Sequence, residues 1–430
     1  MTSPWTNWAG NQTAHAARVA HPATTAELGE VLRAATADGL AVKAVGSGHS
    51  FTPTAVTDGV RIELDRMESL VRVDGNLVTV QAGMPLAVLN ATLAANGLAM
   101  PNLGDIDTQT IAGALSTGTH GTGAAYGCLS TFVEALTLVT ADGTVLDCSA
   151  TANPDLFAAA RVNLGALGVL TSVTLRCSPA FILCADERPG ILDDVWSGLP
   201  DHIAGNDHFE FYWFPYTDRV QLKRNNRVAV SDRPLPGWRR WLDDDFLSNT
   251  VFAGACRIGR TIPSAVPQIS RISARALSAR TYTATSHDVF CTPRRVRFVE
   301  MEYGLPREAL REAFDGLRSI IAGLPYKIQF PVEVRFTAAD DIWLSHGHGR
   351  ENAYVAIHQY VGAPYEEYFR RFEALTTGLG GRPHWGKMHD RDAASLATAY
   401  PRFSDFTALR DKLDPDRLFA NAYTDRVLGP

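Results

Sequence analysis

Six residues, Gly46-Ser47-Gly48-His49-Ser50-Phe51, constrain this chain more than any others. They follow Ala41-Val42-Lys43-Ala44-Val45, which reads as a short buried strand. Two glycines without a Cβ let the backbone turn tightly and approach a ligand closely. Successive backbone N–H groups in such a turn form a concavity suited to phosphate. His49 then lies against whatever carries that anion. Two other readings compete. A Rossmann turn has Gly-x-Gly after a strand and an acid roughly 20 residues on, a place Asp65 nearly fills. Phe51 stands where the third glycine belongs, however, and Thr52 to Asp58, with Pro53 and three threonines, is a poor crossover helix. The plainer alternative is a hydrogen-bonded turn histidine with no ligand.

Residues 101–123, PNLGDIDTQTIAGALSTGTHGTG, shift the balance. Gly113, Gly118, Gly121 and Gly123 stand among Ser116, Thr117, Thr119 and Thr122. Small residues and hydroxyls at this density cannot build a core, but they line a narrow path for a long, flat, pyrophosphate-bearing ligand.

Together GSGHSF and IAGALSTGTHGTG resemble the FAD-binding half of the vanillyl-alcohol oxidase (p-cresol methylhydroxylase, PCMH) superfamily. Within it the chain is most similar to the sugar-1,4-lactone and alditol oxidoreductases: the L-gulono-, L-galactono- and D-arabinono-1,4-lactone oxidases and dehydrogenases. The likeness runs from Asn7-Trp8-Ala9-Gly10-Asn11 to Phe419-Ala420-Asn421-Ala422-Tyr423. It implies an α+β chain with a two-lobed PCMH-type FAD-binding domain over 1–178 and a mixed α+β substrate (cap) domain over 179–399. Final strands in 400–430 would return to the FAD domain. It also implies FAD bonded covalently, through its 8-methyl group, to His49. The cofactor-binding residues by this resemblance are Gly46, Ser47, Gly48, His49, Ser50, Gly104, Asp105, Thr108, Gly113, Ser116, Thr119, His120, Gly121, Gly123 and Val169.

At 430 residues there is room for two domains, and 46% hydrophobic with 20% charged residues is ordinary for a soluble globular protein. The net charge of −6 and the lack of a basic stripe argue against nucleic acid or an anionic membrane as partner. Cys128, Cys148, Cys177, Cys184, Cys256 and Cys291 are scattered without a C-x-x-C pair, so neither a zinc site nor a redox dithiol is indicated and reduced thiols in a cytoplasm are expected. MTSPWTNWAGNQ lacks the regions of a signal peptide, and no apolar run is long enough to span a membrane. Peripheral membrane association stays open.

Thr24-x-x-Glu27 is a capping box ahead of Leu28, Val31, Leu32 and Ala35 at helical spacing, with Gly39 closing the helix. Val60 to Leu64 reads as a strand. Asp74-Gly75-Asn76 and Asp142-Gly143 mark hairpins, and Pro85 opens a helix closed by Gly97. In residues 164–175 Gly165 and Gly168 signal either close backbone approach to a cofactor or a tight turn. By the resemblance this run lies along the isoalloxazine ring. From about residue 180 aromatic strands take over, such as His208 to Tyr216, where Glu210 and Tyr212 alternate with bulky apolar residues. Residues 225–240 read as a polar surface loop anchored by Trp238 and Trp241. Arg297 to Tyr303 is a strand with Glu300 and Glu302 on one face, either solvated or functional. The alternation fits a sheet covered on one side by helices.

Period-two alternation in Phe330 to Thr337 puts Glu333, Arg335 and Thr337 on one face and Val332, Val334 and Phe336 on the other. In Tyr354 to Tyr360, His358 and Tyr360 share a face, and hairpin pairing would gather them with Glu333 and Arg335 if the register permits. Arg382-Pro-His384-Trp-Gly-Lys387-Met-His389 returns sharply after Gly378, Gly380 and Gly381. The resemblance makes Glu333, Arg335, His358 and Lys387 the catalytic set, and Asp105, Tyr360 and His384 substrate-binding. It implies hydride transfer from a carbinol carbon to flavin N5. Arg335 and Lys387 then place positive charge near the developing anion, Glu333 orients Arg335 or a substrate hydroxyl, and His358 takes the hydroxyl proton. Tyr360 replaces a smaller hydroxyl residue of the alditol branch, which favours a lactone over an open polyol.

His346, His348, His358, His384 and His389 raise a metal alternative, with the Ser345 to Gly349 turn supplying two ligands; solvated loop histidines are the commoner outcome, and no metal is expected. By the resemblance Gly104 flanks the flavin edge that dioxygen must reach, so a glycine leaves a path and favours oxidase chemistry over a quinone, dye or cytochrome acceptor. The expected function is oxidation of an aldono-1,4-lactone, with an alditol oxidase producing hydrogen peroxide as the alternative. An NAD-dependent dehydrogenase and a sugar-binding protein without turnover are the remaining classes.

Overall fold

The computed structural model describes residues 4–430; residues 1–3, which open the stretch inspected for a signal peptide, lie outside it. Two sheets carry the glycine-rich turns. In the first, Arg18–Ala20, Val60–Glu63 and Val42–Val45 lie parallel with Val60–Glu63 in the middle. The helix Thr25–Ala37 precedes Val42–Val45; Thr24 caps it by accepting from the Glu27 N–H at 3.1 Å, and the Glu27 carboxylate reaches back to the Ala23 N–H. Between Val42–Val45 and Val60–Glu63 there is only the short turn Pro53–Ala55. The crossover helix of a Rossmann unit is therefore missing, as Pro53 and its threonines dictate.

The second sheet is antiparallel, in the order Val145–Ser149, Val133–Val139, Val169–Arg176, Leu77–Gln81, Leu70–Asp74. Its hairpins turn at Gly75 and Gly143, whose φ values of 60° and 82° suit a residue without a Cβ. Pro85 caps the helix Leu86–Ala95. One apolar core joins these sheets to the chain's last helices, through Leu32, Val78, Leu115, Leu138, Phe406 and Val427.

An antiparallel eight-stranded sheet follows, in the order Arg280–Thr285, Ile182–Ile191, Arg219–Val228, His208–Trp213, Val332–Thr337, Asn352–Tyr360, Phe298–Pro306, Arg382–Pro383. Alternation gives it two unlike faces. Phe209, Phe211, Met301, Val334, Phe336 and Val355 bury against Phe314 and Leu317 of the helix Leu310–Ala322 and Phe369 and Phe372 of Glu366–Gly378. The opposite face carries Glu210, Tyr212, Glu300, Glu302, Glu333 and Arg335 toward the glycine-rich loops.

Two expectations need correction. Residues 403–428 hold no strands; they form the helices Phe403–Leu413 and Ala422–Leu428, with Phe403, Phe406 and Arg410 buried at helical spacing. Residues 225–240 are not one loop: the strand Arg219–Val228 runs into them and the helix Gly237–Arg240 ends them. Trp238 and Trp241 do not anchor it, being 66% and 57% exposed. No helix among the described residues is long and apolar enough to cross a membrane. All six cysteines are free, and burial pushes the Cys128, Cys148, Cys177 and Cys256 thiols up to about 12.

Candidate active site

The turn at His49 is fastened from three distant segments. From the N-terminal stretch, Trp8 N–H donates to Gly48 O at 2.8 Å, Asn7 Nδ2 to Ser50 O at 2.9 Å and Asn11 Nδ2 to Phe51 O at 2.9 Å. From the HWGK segment, Gly386 O accepts from the Phe51 N–H at 2.7 Å, and Trp385 O accepts from Thr52 Oγ1 at 3.1 Å. From the C-terminal segment, Asn421 Nδ2 donates to the carbonyls of Pro53, Thr54 and Val56 at 2.9, 3.3 and 2.9 Å. Such ties hold a loop with few internal hydrogen bonds in one conformation.

His49 sits where two cavities meet. One, of about 320 Å³, is walled by Gly46, Ser47, Gly48, Ser50, Gly113, Ser116 and Val169 together with Thr110, Gly165 and Gly168. Glu63, Asp65 and Glu68 line it as well. The other, of about 490 Å³, is walled by Gly104, Asp105, Thr119, His120, Glu333, Arg335, His358, His384 and Lys387. His49, Ser50, Gln109 and Thr117 belong to both. The walls fit FAD. A Cβ on Gly46 would fall 2.3 Å from Thr110 Oγ1, and Gly48 and Gly168 hold φ of 69° and 146°, so the first cavity is shaped by bare backbone. Thr110 caps the short helix Ile111–Ser116 at the groove wall. His49 stacks against Trp8 with centroids 5.5 Å apart, and its Nε2 shares a 2.8 Å hydrogen bond with Thr108 Oγ1. Burial, then Lys387, lower the His49 imidazole to about 4, so it is neutral at pH 7.

On the sheet face above, Arg335 ion-pairs with Asp105, Glu333 and Glu210, the last at 2.9 Å. Register explains the placement: Glu333 lies opposite Ala356 and Arg335 opposite Tyr354, so His358 follows on the same face. Tyr212 OH donates to Glu333 Oε1 at 2.7 Å, Arg294 donates to Asp105 at 2.9 Å and Lys223 pairs with Glu210 at 2.7 Å. Burial opposes the Asp105 charge, but Arg335, Arg294 and Lys223 outweigh it and hold the carboxyl well below its usual range. For Glu333 burial wins: Arg335 opposes it, Asp105 and Glu210 add to it, and the carboxyl rises to about 7.

A second cluster lies on the neighbouring strand. Glu300 pairs with Lys387, and His358 Nε2 is 3.2 Å from Glu300 Oε1. A carboxylate only accepts, so Nε2 carries the hydrogen, and in the neutral ring Nδ1 presents its lone pair. That Nδ1 is buried and has no hydrogen-bond partner. Burial works against the Glu300 charge, yet Lys387 and His358 bring it down to about 2. Burial likewise opposes the Lys387 ammonium, and Glu300 above all raises it. Glu302 faces His120 Nε2 at 3.5 Å, and His120 donates Nδ1–H to Gly121 O at 2.9 Å.

Glu300 and Glu302 are thus 4% and 3% exposed, and the solvated reading fails. Glu210, Tyr212, Lys223, Arg294, Glu300 and Glu302 complete the network; the even-numbered spacing in Phe298–Pro306 and His208–Trp213 was the signal for four of them. Tyr360 itself is not in the cavity lining: it pairs with Phe298, which is, and takes Arg260 over its ring at 5.5 Å. Gly121 and Gly123 line neither cavity. A Cβ on either would strike backbone, Leu103 O at 2.1 Å or Asp207 O at 2.6 Å, so they serve close packing. Thr108 acts on His49 and does not line the groove.

The five histidines of the metal alternative do not converge. His348 bonds Ile342 O, His389 bonds the Tyr423 hydroxyl and His358 faces Glu300. His346 stacks on His384 at 4.9 Å. A different trio, His120, Glu302 and His384, does come within ligand distance. His384 Nδ1, however, accepts from the Gly386 N–H at 3.0 Å, which leaves the hydrogen on Nε2.

Comparison with known proteins adds to this geometry. A family model for an FAD binding domain matches residues 16–149, and one for D-arabinono-1,4-lactone oxidase matches residues 173–427. The chain is 43% identical to L-gulono-1,4-lactone dehydrogenase of Mycobacterium tuberculosis over 100% of both chains. It is 35% identical to L-gulonolactone oxidase of Bos taurus over 98% of this chain and 97% of that one. A solved structure of a solvent-stable cholesterol oxidase superposes with a TM-score of 0.83 at 19% identity, covering 99% of this chain and 97% of that one; this likeness concerns the fold alone. The chain belongs to the D-arabinono-1,4-lactone oxidase family and is an FAD-dependent oxidoreductase acting on CH–OH groups.

Proposed function

We propose that the protein oxidises an aldono-1,4-lactone, of the L-gulono, L-galactono or D-arabinono type, at a carbinol carbon, with FAD tethered through His49. The observation that carries the reading is His358 Nδ1, a buried lone pair left unbonded in the cavity while Glu300 holds the other ring nitrogen. Bound FAD supplies the acceptor for the carbinol hydrogen and its electron pair. His358 Nδ1 takes the hydroxyl proton. Arg335 and Lys387 hold fixed positive charge beside the cavity, already compensated by Asp105, Glu210 and Glu300, so nothing reorganises as charge develops. Glu333, Asp105 and His384 offer polar contacts for a polyhydroxylated substrate. The lactone assignment is supported by the lactone-named relatives over the whole chain.

His49 is suited to a covalent link because it is neutral at pH 7 and Thr108 fixes its Nε2, leaving Nδ1 as the free nucleophile. Gly104 lines the cavity wall and leaves space toward it, which supports dioxygen as acceptor. We assign 1–178 to the FAD-binding domain, 179–399 to the substrate domain and 400–430 to a segment returning to the first; the Asn421 bonds to residues 53–56 support the last. Six free cysteines fit a reducing cytoplasm.

Anaerobic mixing with L-gulono-, L-galactono- and D-arabinono-1,4-lactone tests the reading. Bleaching of the yellow flavin by at least one lactone, slowed in His358→Asn, is expected. Bleaching by xylitol or sorbitol and by no lactone would move the substrate to an alditol. A flavin that stays yellow with every lactone and polyol would overturn catalysis altogether.

A further inference from the structure

A cleft of about 660 Å³ lies apart from the flavin groove and the site cavity. It is formed by the turn between His208–Trp213 and Arg219–Val228, the helix Val266–Ala276 and the helix Leu310–Ala322. Four arginines line it: Arg219, Arg271, Arg275 and Arg318. None of the four guanidinium groups makes a hydrogen bond or an ion pair among the described residues; Arg318 lies over the Trp213 ring at 5.9 Å. Asp218 is the single carboxylate in the lining. Nearby Arg280 shows the contrast, paired with Glu187, Asp243 and Asp244.

Sequence makes the imbalance local. From Phe246 to Ala279 there is no acidic residue, while Arg257, Arg260, Arg271 and Arg275 all fall there, in a chain whose net charge is −6. The arginines of the cleft come from three separate elements, which is why no basic stripe marks them. Four clustered cations facing one carboxylate repel one another, and a bound anion relieves that repulsion. Guanidinium forks match phosphate oxygens in bidentate geometry.

The floor is built in advance. Tyr216 holds φ at 67°, an unfavourable value for a bulky residue. Its hydroxyl accepts from the Ile328 N–H at 2.8 Å, and Trp213 Nε1 donates to Thr217 O at 2.9 Å, so the turn keeps its shape. The helix Val266–Ala276 divides the cleft from the site: Arg271 and Arg275 face the cleft, while Ser273 and Ala276 line the site cavity. Beside the arginines Ile272 is 57% exposed, and Ile258 and Ile262 are exposed on the preceding helical turns.

We infer that this cleft binds a phosphate-bearing anion, either a free phosphorylated small molecule or the headgroup of an anionic lipid. The test uses the FAD-loaded holoenzyme, so that the flavin groove is filled. Pyrophosphate is titrated by calorimetry at low ionic strength, and vesicles of phosphatidylglycerol or of phosphatidylcholine are cosedimented with the protein. Binding to pyrophosphate, or to phosphatidylglycerol and not phosphatidylcholine, is expected. The first result assigns a soluble ligand and the second a headgroup; either falls away in about 0.5 M salt, where the Debye length drops below about 5 Å. Arg271→Glu/Arg275→Glu and, separately, Arg318→Glu should each weaken it about tenfold or more, with melting temperature and lactone turnover retained. No binding to either probe, or binding that both variants leave intact, overturns the assignment.

Discussion

Glu300 reaches His358 with one carboxylate oxygen, at 3.2 Å from Nε2, and Lys387 with the other. One buried acid therefore sets the tautomer of the proposed base and the position of the neighbouring cation. Glu300→Gln keeps the shape but removes the charge. We expect kcat with L-gulono-1,4-lactone to fall about 100-fold while KM changes little. Adding His358→Asn should cost almost nothing more, because both changes disable one unit. Steady-state kinetics of the single and double variants checks this, and fully additive losses would break the link.

The His49 tether is read directly from colour. After denaturation and acid precipitation, wild-type pellets should stay yellow and His49→Ala pellets should be white with flavin in the supernatant. Thr108→Val removes the hydroxyl bonded at 2.8 Å to His49 Nε2, and partial release is expected. A colourless wild-type pellet would show that the flavin is not covalently held.

Gly104 can be tested without disturbing the fold. A Cβ there meets His120 O at 3.3 Å and Thr119 Cγ2 at 3.6 Å, contacts a small shift admits. Gly104→Ala should slow reoxidation by dioxygen about tenfold or more and leave reduction by lactone within about threefold. Stopped-flow measurement of the two half-reactions separates them. Equal rates of reoxidation in both proteins would place the oxygen route elsewhere.

Glu333 gives a pH signature. Its carboxyl is raised from 4.5 to about 7, chiefly by burial, so the folded protein holds this proton more tightly than the unfolded chain. Its contribution to stability is present below 4.5 and is lost as pH rises toward 7. Glu333→Gln should flatten that decline in urea unfolding. In catalysis the ionised form is the one that accepts a substrate hydroxyl hydrogen, so kcat/KM should climb through about pH 7 and the climb should vanish in Glu333→Gln.

Phe314 is fully buried between Phe211, Trp196 and Trp213 on the helix that backs the eight-stranded sheet. Phe314→Ala should cost about 3–5 kcal/mol in denaturant unfolding.

The strand Val332–Thr337 was legible because its alternation is local: apolar residues face the helices, and Glu333 and Arg335 face the site. The same rule was present in Phe298–Pro306, yet its carboxylates could be read as solvated. Burial depends on partners far away in sequence, Lys387 for Glu300 and His120 for Glu302, and no local pattern supplies them. Tyr360 lies farther along the same face than the pattern alone could say. Strand periodicity gives a face, not a distance along it, and Tyr360 stands at the end of the strand, opposite Phe298 at the cavity wall. The chain's end was misread as strands although Phe403, Phe406 and Arg410 follow helical spacing. Gly121 and Gly123 resemble ligand glycines in sequence, and only the nearby backbone oxygens of Leu103 and Asp207 show what their missing side chains make room for.

The three carbonyls of Pro53, Thr54 and Val56 that Asn421 gathers have a consequence for biosynthesis. Synthesis runs from the His49 turn toward Asn421, so this brace is made long after the turn it holds. The ties from Asn7, Trp8 and Asn11 can close as soon as the turn is made, whereas those from the HWGK segment and from Asn421 wait for the chain in between.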